Sequence, residues 1–259
     1  MNSTVLGLLA IFGMLVAIIV VLEAGRQLGA RRLAKDPESA KAGTGAIEGA
    51  VFGLMALLIA FTFSSAASRF DTRRVIVIEE ANNIGTAWLR LDLLPAAAQS
   101  PLREKFRQYV DARVAFSAKL PDVDAAMGEL ARATALQNGI WKDAVAACRD
   151  SSSSTASMLL LPALNQMIDI TTTRTMAAWT HAPLTVYAML GLLVLAGSLL
   201  AGFSLASGRT HNWFHNVAFA LIMALAIYVI LDFEFPRVGL IRLNFFDQAL
   251  VDVRQSMNP

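Results

Sequence analysis

One cysteine, Cys148, stands in a chain of 259 residues, which excludes an intramolecular disulfide and any metal cage built from cysteines. Histidine is almost as scarce, with three. His211 and His215 are four apart and can share a helix face, but no third ligand stands near them, and two imidazoles do not complete a metal site. Neither a metal nor a cofactor is expected. Charged residues make up 16% of the chain and the formal net charge is +2. No basic tract alternates with aromatic residues, so nucleic acid is not an expected partner. Groupings that do chemistry are missing as well. Ser64 and Ser65 have no His or Lys placed to make a nucleophile, and no carboxylate pair lies inside an apolar run. Gly43-Thr44-Gly45 lacks the preceding strand, the third glycine and the Lys-Ser/Thr of a phosphate loop. An enzyme is not expected.

Apolar residues are abundant instead, at 56% of the chain, and the mean hydropathy is +0.53. Soluble domains hold about 45–50% apolar residues, so this composition predicts an integral membrane protein with the lipid bilayer as its first partner. Four apolar runs are candidates to cross: Val5–Leu22, the stretch that begins at Gly49, Leu184–Ala206 and Val217–Leu231. No Lys or Arg precedes the first run, so it reads as a retained transmembrane helix and not as a signal peptide. Arg26 to Gly45 reads as a short polar link, with Arg26, Arg31, Arg32, Lys35 and Lys41 and the breakers Pro37, Gly43 and Gly45.

The stretch from Gly49 to Leu94 organises the rest. Its first half is apolar over roughly 20 residues, enough to span a bilayer. Its second half carries charge at helical spacing. No Gly or Pro lies between Gly53 and Gly85, so nothing asks the helix to stop at the membrane surface. Val77, Ala81, Ile84, Trp88 and Leu91 form one apolar face of the extension, and Glu79-Glu80 reads as a solvated face. Pro95 ends this helix and Pro101 begins the next, with Leu102, Phe106, Tyr109 and Val110 on one face. Pro121-Asp122 starts a third helix that runs to Cys148, a small packing residue. Ser151–Thr155 reads as a turn, and a further helix covers Met158 to Thr180. The predicted fold is all-α. Four transmembrane helices carry an inserted helical bundle continuous with the second span. The expected divisions are residues 1–68, 69–181 (the helical domain), 182–235 and 236–259 (the tail).

On the second span Gly49, Gly53, Ala56, Ala60, Ser64 and Ala67 recur at spacings of four and three, a stripe of small residues that lets helix backbones approach in lipid. The stripe serves either packing between spans of one chain or contact between copies. Phe52, Phe61, Phe63 and Phe70 crowd the same helix, Phe52 off the small-residue face. Such residues either face lipid or core, or form an apolar constriction. Arg69 and Arg73 follow where the span ends, and Asp232 and Glu234 where the fourth span ends. An interfacial ion pair between the two groups is expected, the alternative being separate anchoring by snorkelling.

The run Phe61 to Arg74, through Ser64, Ser68, Arg69 and Phe70, resembles the second-span signature of bestrophins. The whole chain is more similar still to the bestrophin-like DUF4239 group, from the Gly-rich second span through Glu80 to Phe235-Pro236-Arg237-Val238-Gly239. The resemblance implies a pentameric ion channel, with permeant ions as partners and second spans around a central pore. By position it implies that Gly53, Leu57 and Phe61 face the axis. Glu79 and Glu80 would bias the pore toward cations if they face it too. A membrane-anchored sensor or scaffold, whose helical domain binds a partner or ligand, is the other function the layout allows. Orientation is open. Arg26, Arg31, Arg32, Lys35, Lys41 and Arg209 on one side nearly balance Arg69, Arg73, Arg74, Arg174, Arg237, Arg242 and Arg254 on the other. The basic first link favours a cytoplasmic first loop and the resemblance a cytoplasmic helical domain, and the second is the expectation, since it matches the Arg cluster to a known architecture.

Overall fold

A chain in hydrocarbon has to satisfy its own backbone hydrogen bonds, and a helix does this locally. The computed structural model describes residues 3–35, 44–120, 122–150, 154–206, 213–236, 240–241 and 244–257. Among them all regular structure is helical: α1 (Ser3–Lys35), α2 (Thr44–Arg90), α3 (Ala96–Lys119), α4 (Val123–Asp150), α5 (Ser154–Trp179), α6 (Leu184–Leu205), α7 (Trp213–Glu234) and α8 (Asn244–Ser256), with a 3-10 turn at Leu91–Leu93. Four helical stretches are long and apolar enough to cross a membrane: Leu9–Lys35, Gly45–Leu93, Thr155–Leu205 and Trp213–Glu234. The protein is therefore an all-α integral membrane protein.

Several helix ends differ from the sequence reading, each for a local reason. α1 runs to Lys35, through the segment expected to be a link. No proline precedes Pro37, the intervening Leu, Ala, Gln and Arg are good helix formers, and Arg26 bonds Glu23 at 2.7 Å one turn back. The long helix α2, 47 residues and about 70 Å at 1.5 Å per residue, ends at Arg90 and tightens into the 3-10 turn, where Leu94 N–H donates to Leu91 O at 3.0 Å. Leu94 itself is extended, as a residue before proline prefers. α3 begins at Ala96 with Pro95 in the cap position, so Pro101 lies inside the helix and does not start it. Ser154 and Thr155, expected in a turn, already belong to α5, while Ser151–Ser153 lie outside the described residues, as do Pro121, Gly208–His211 and Arg237–Gly239. Asp122 caps α4 as its position suggested, its Oδ1 accepting Ala125 N–H at 3.1 Å.

The chain divides into two compact units. The first comprises Met1–Ser68 and His181–Ile241, the second Arg69–Thr180 and Arg242–Pro259. In the first, α1 packs against α6 and α7. Glycines set the α1–α6 spacing. A Cβ built on Gly202 would lie 1.9 Å from Leu22 O, one on Gly25 2.1 Å from Leu199 O, and one on Gly29 2.5 Å from Phe203 O. The two backbones touch, which is how helices attract in a solvent as apolar as their side chains. Ser198, buried in the same seam, returns its hydroxyl to Val194 O. Ile18, Met55, Ala66, Leu190, Val194, Ala220, Ala224, Ile227 and Ile230 form this unit's core.

The second unit buries Ile84, Leu91, Leu102, Phe106, Tyr109, Ile140, Leu160, Leu164 and Met167. α8 joins the same core through Leu250 and Met257. Arg254 to Asp111 at 2.7 Å and Arg107 Nε to Met257 O at 3.1 Å hold it at the edges. Trp88 lies under two guanidinium groups, those of Arg103 at 4.5 Å and Arg107 at 5.4 Å, and such stacking adds to its burial.

Candidate functional site

The membrane half of α2 has two unlike faces. Met55, Thr62 and Ala66 are buried in the first unit's core, and Phe52, Leu58 and Ile59 pack at its margin. A Cβ on Gly197 would lie 3.2 Å from Met55 Sδ and 3.4 Å from a ring carbon of Phe52. The opposite face is bare. Gly49, Gly53, Ala56, Ala60 and Ser64 are exposed, and Ala67 half-buried. A Cβ built on Gly49 or Gly53 meets nothing within 4 Å. Leu57 is 51% and Phe61 63% exposed. Among the described residues, no other span packs against the Gly49–Ser64 part of the small-residue stripe. Close backbone approach between spans is seen at Gly25, Gly29 and Gly202. On α1 the GxxxG spacing of Gly25 and Gly29 is a signal that the polar Arg26 and Gln27 between them mask.

The four charged residues expected at the ends of the spans divide between the units, with Arg69 and Arg73 in the second and Asp232 and Glu234 in the first. Arg73 is buried and clasps the end of α5, donating to Ala177 O at 3.0 Å and Thr180 O at 2.8 Å. These are carbonyls a helix C-terminus leaves without internal partners. Asp232 Oδ2 accepts the N–H groups of Leu240 and Ile241, each at 3.1 Å, and so ties down the chain after α7. Glu234 is fully buried, and its Oε1 accepts Ala182 N–H at 3.3 Å and lies 3.1 Å from His181 Nδ1. The His181 ring stacks on Phe235 at 4.6 Å. His181 is the one histidine the sequence reading passed over.

The largest departure is at Glu80. Glu79 is exposed, but Glu80 is 0% exposed and is no part of a solvated face. Its Oε1 accepts Arg113 Nε at 2.5 Å and its Oε2 accepts Arg174 Nη1 at 2.5 Å. Arg174 Nη2 also donates to Ser117 Oγ at 2.7 Å and Asp247 Oδ1 at 2.8 Å. Beside this cluster, Tyr109, Thr171 and Gln137 bond one another at 2.9–3.1 Å. Burial and then the Glu80 charge push the Tyr109 hydroxyl up to about 12. Arg113 loses hydration on burial, yet the Glu80 carboxylate more than offsets this and holds its pKa above the ordinary value. The sequence did carry a signal for this cluster. Arg113 falls between Phe106, Tyr109, Val110 and Phe116, and Arg174 follows Met167, Ile170 and Thr171 at helical spacing. Both arginines thus sit in the middle of buried faces. Among the described residues no group of three or more His, Cys, Asp or Glu is placed to hold a metal ion.

A family model described as the bestrophin-like domain matches residues 14–244. No curated protein matches the sequence. Among solved structures, a point mutant of a bacterial bestrophin homologue from Klebsiella pneumoniae is similar with a TM-score of 0.69 at 18% identity, over 95% of this chain and 98% of that one. A second mutant of that homologue gives 0.65 at 16% identity, over 92% and 98%. A structure described as a membrane protein gives 0.71 at 16% identity, over 95% and 98%. At these identities the likeness is one of fold.

Proposed function

We propose, for a chain that belongs to the bestrophin-like family, a homo-oligomeric ion channel whose pore is lined by the membrane half of α2. The observation that carries this reading is the bare face of that helix. A span whose far side is packed into its own unit presents Gly53, Leu57 and Phe61, with Gly49, Ala56, Ala60 and Ser64, to whatever surrounds the chain. Small residues permit α2 helices of neighbouring copies to approach. Leu57 and Phe61 supply an apolar ring, whose barrier to an ion is the hydration shell it strips away. Copies arranged around an axis, five by resemblance, would use both properties at once. Of the two adjacent glutamates only Glu79 is exposed and able to bias such a pore, because Glu80 is held by two arginines.

Flux through purified protein in reconstituted vesicles tests the reading. Leu57→Ala with Phe61→Ala widens the ring and is expected to raise ion flux. Ile222→Ala, on the exposed side of α7, is expected to leave it unchanged. Phe52, although off the small-residue face, is not a neutral control, since it packs at the core margin. If neither the native protein nor the double variant conducts above empty vesicles, the channel reading fails. The membrane-anchored sensor or scaffold then takes its place.

A further inference from the structure

The Glu80 cluster has more cationic hydrogen-bonding capacity than its fixed partners use. Arg113 gives Nε to Glu80, while its Nη1 and Nη2 are buried with no hydrogen-bond partner. A fully buried guanidinium with unused N–H groups is costly and calls for an acceptor. Within α2, α3 and α5 the cluster comprises one carboxylate, Glu80, and two guanidinium groups, Arg113 and Arg174. It carries one excess positive charge.

The balancing charge comes from elsewhere in the chain. Asp247 lies in the first turn of α8, and its Oδ1 meets Arg174 Nη2 at 2.8 Å. Its charge also acts on Arg113. Its side chain is 16% exposed, whereas those of Glu80 and Arg113 are at 0%. The neutralising carboxylate is thus the outermost member of the cluster. It rides on the short helix α8, which is also held by Ala249, Leu250 and Val253 against the core, by Arg74 over the Phe246 ring at 5.1 Å and by Arg254 on Asp111.

We propose that Arg113 and Arg174 form an anion site occupied in this state by the chain's own Asp247, and that a small soluble oxyanion of the sulfate or phosphate class competes for it and loosens α8. A tetrahedral oxyanion offers acceptors in several directions, so one that bonds Arg174 in place of Asp247 has acceptors left over for the Arg113 N–H groups that the present arrangement leaves unused. A halide has the charge without the directions. The site belongs to the second unit alone and stands whether or not the protein conducts.

The test uses the full chain in a maltoside detergent, with sodium sulfate as probe and sodium chloride at matched ionic strength as control. In the native protein, sulfate is expected to increase amide exchange in α8 to a plateau, and chloride to leave it unchanged. In Asp247→Asn the competitor's charge is gone. Sulfate is then expected to raise the melting temperature saturably, by about 3–6 °C at ten times the half-saturating concentration. Sulfate also stabilises proteins in general by exclusion from their surfaces. The Arg174→Gln, Asp247→Asn double variant measures that background and is expected to show no saturable part. Equal effects of sulfate and chloride, or no saturable gain in Asp247→Asn over the double variant, overturn the proposal. Should Asp247→Asn fail to fold, the native exchange experiment decides alone, and unchanged α8 exchange overturns it. Inert sulfate alongside α8 release by phosphatidylglycerol added to the micelles also overturns it, because the anion would then be a lipid headgroup.

Discussion

Glu80 lies between Val77 and Ile84 on the buried side of α2, about 100° of helix away from its solvated neighbour Glu79. A step of that size at the margin of a buried face leaves one of two adjacent residues in the core and the other in water, so this pair of glutamates is not one environment. Breaking a buried ion pair from one side leaves an uncompensated charge, at about 3–5 kcal/mol. Glu80→Gln is expected to lose stability on that scale in thermal or chemical unfolding, and Glu79→Gln to change it by less than about 0.5 kcal/mol. Equal losses would show that Glu80 is not paired as described. Tyr109 gives a second expectation. Its hydroxyl ionises near 10 in the unfolded chain and near about 12 in the folded one. The folded state therefore keeps a proton that the unfolded state releases. That contribution is complete below pH 10 and is lost as pH rises through about 12. The unfolding free energy, measured from pH 9 upward, should fall less steeply for Tyr109→Phe than for the native protein.

At the scale of elements, the seam between α1 and α6 is decided by atoms that are absent. Gly202→Ala would set a methyl group 1.9 Å from Leu22 O. The obstacle is backbone, so the helices have to separate, and overpacking of this kind costs about 1–3 kcal/mol or more. Gly85 is also inside a helix, yet a Cβ there meets nothing within 4 Å. Gly85→Ala should gain about 0.5–1 kcal/mol from helix propensity alone. Melting of the two variants in detergent separates a glycine kept for close packing from one that is not. α8 makes a related point. Phe246 and Leu250 are four apart and share a helix face, but nothing in that spacing names the surface the face covers.

At the scale of the whole molecule, assembly and orientation are the open properties. If the bare face of α2 joins copies, Gly53→Leu or Ala60→Leu should shift the detergent-solubilised protein from oligomer to monomer, as light scattering would read directly. Unchanged mass for both variants would refute that contact. Orientation needs an accessible thiol, and Cys148 does not supply one. It is 9% exposed, and burial pushes its thiol up, away from the reactive thiolate. Lys142→Cys in a Cys148→Ser background places the thiol at an exposed position of α4. With a cytoplasmic helical unit, an impermeant maleimide should label it in lysed but not in intact cells.

The sequence by itself determined the class of this protein and most of its helices. Apolar runs long enough to span a bilayer have few other stable forms, and a stretch free of Gly and Pro from Leu54 to Ile84 has no reason to break. The bestrophin-like signature was legible too, as a resemblance carried by the residue types of one short run, Phe61, Ser64, Ser68, Arg69, Phe70 and Arg74. Partnership between distant residues was decided only in the tertiary structure. Whether a small residue meets a neighbouring backbone, as Gly202 does, or open space, as Gly53 does, depends on which helix lies opposite. Whether a charge is solvated or buried depends on what arrives from elsewhere in the chain. Arg113 and Arg174 reach Glu80 across separations of 33 and 94 residues, and Asp247 reaches Arg174 from α8. Periodicity records the face a residue occupies, and it is blind to the side chain that comes to meet it.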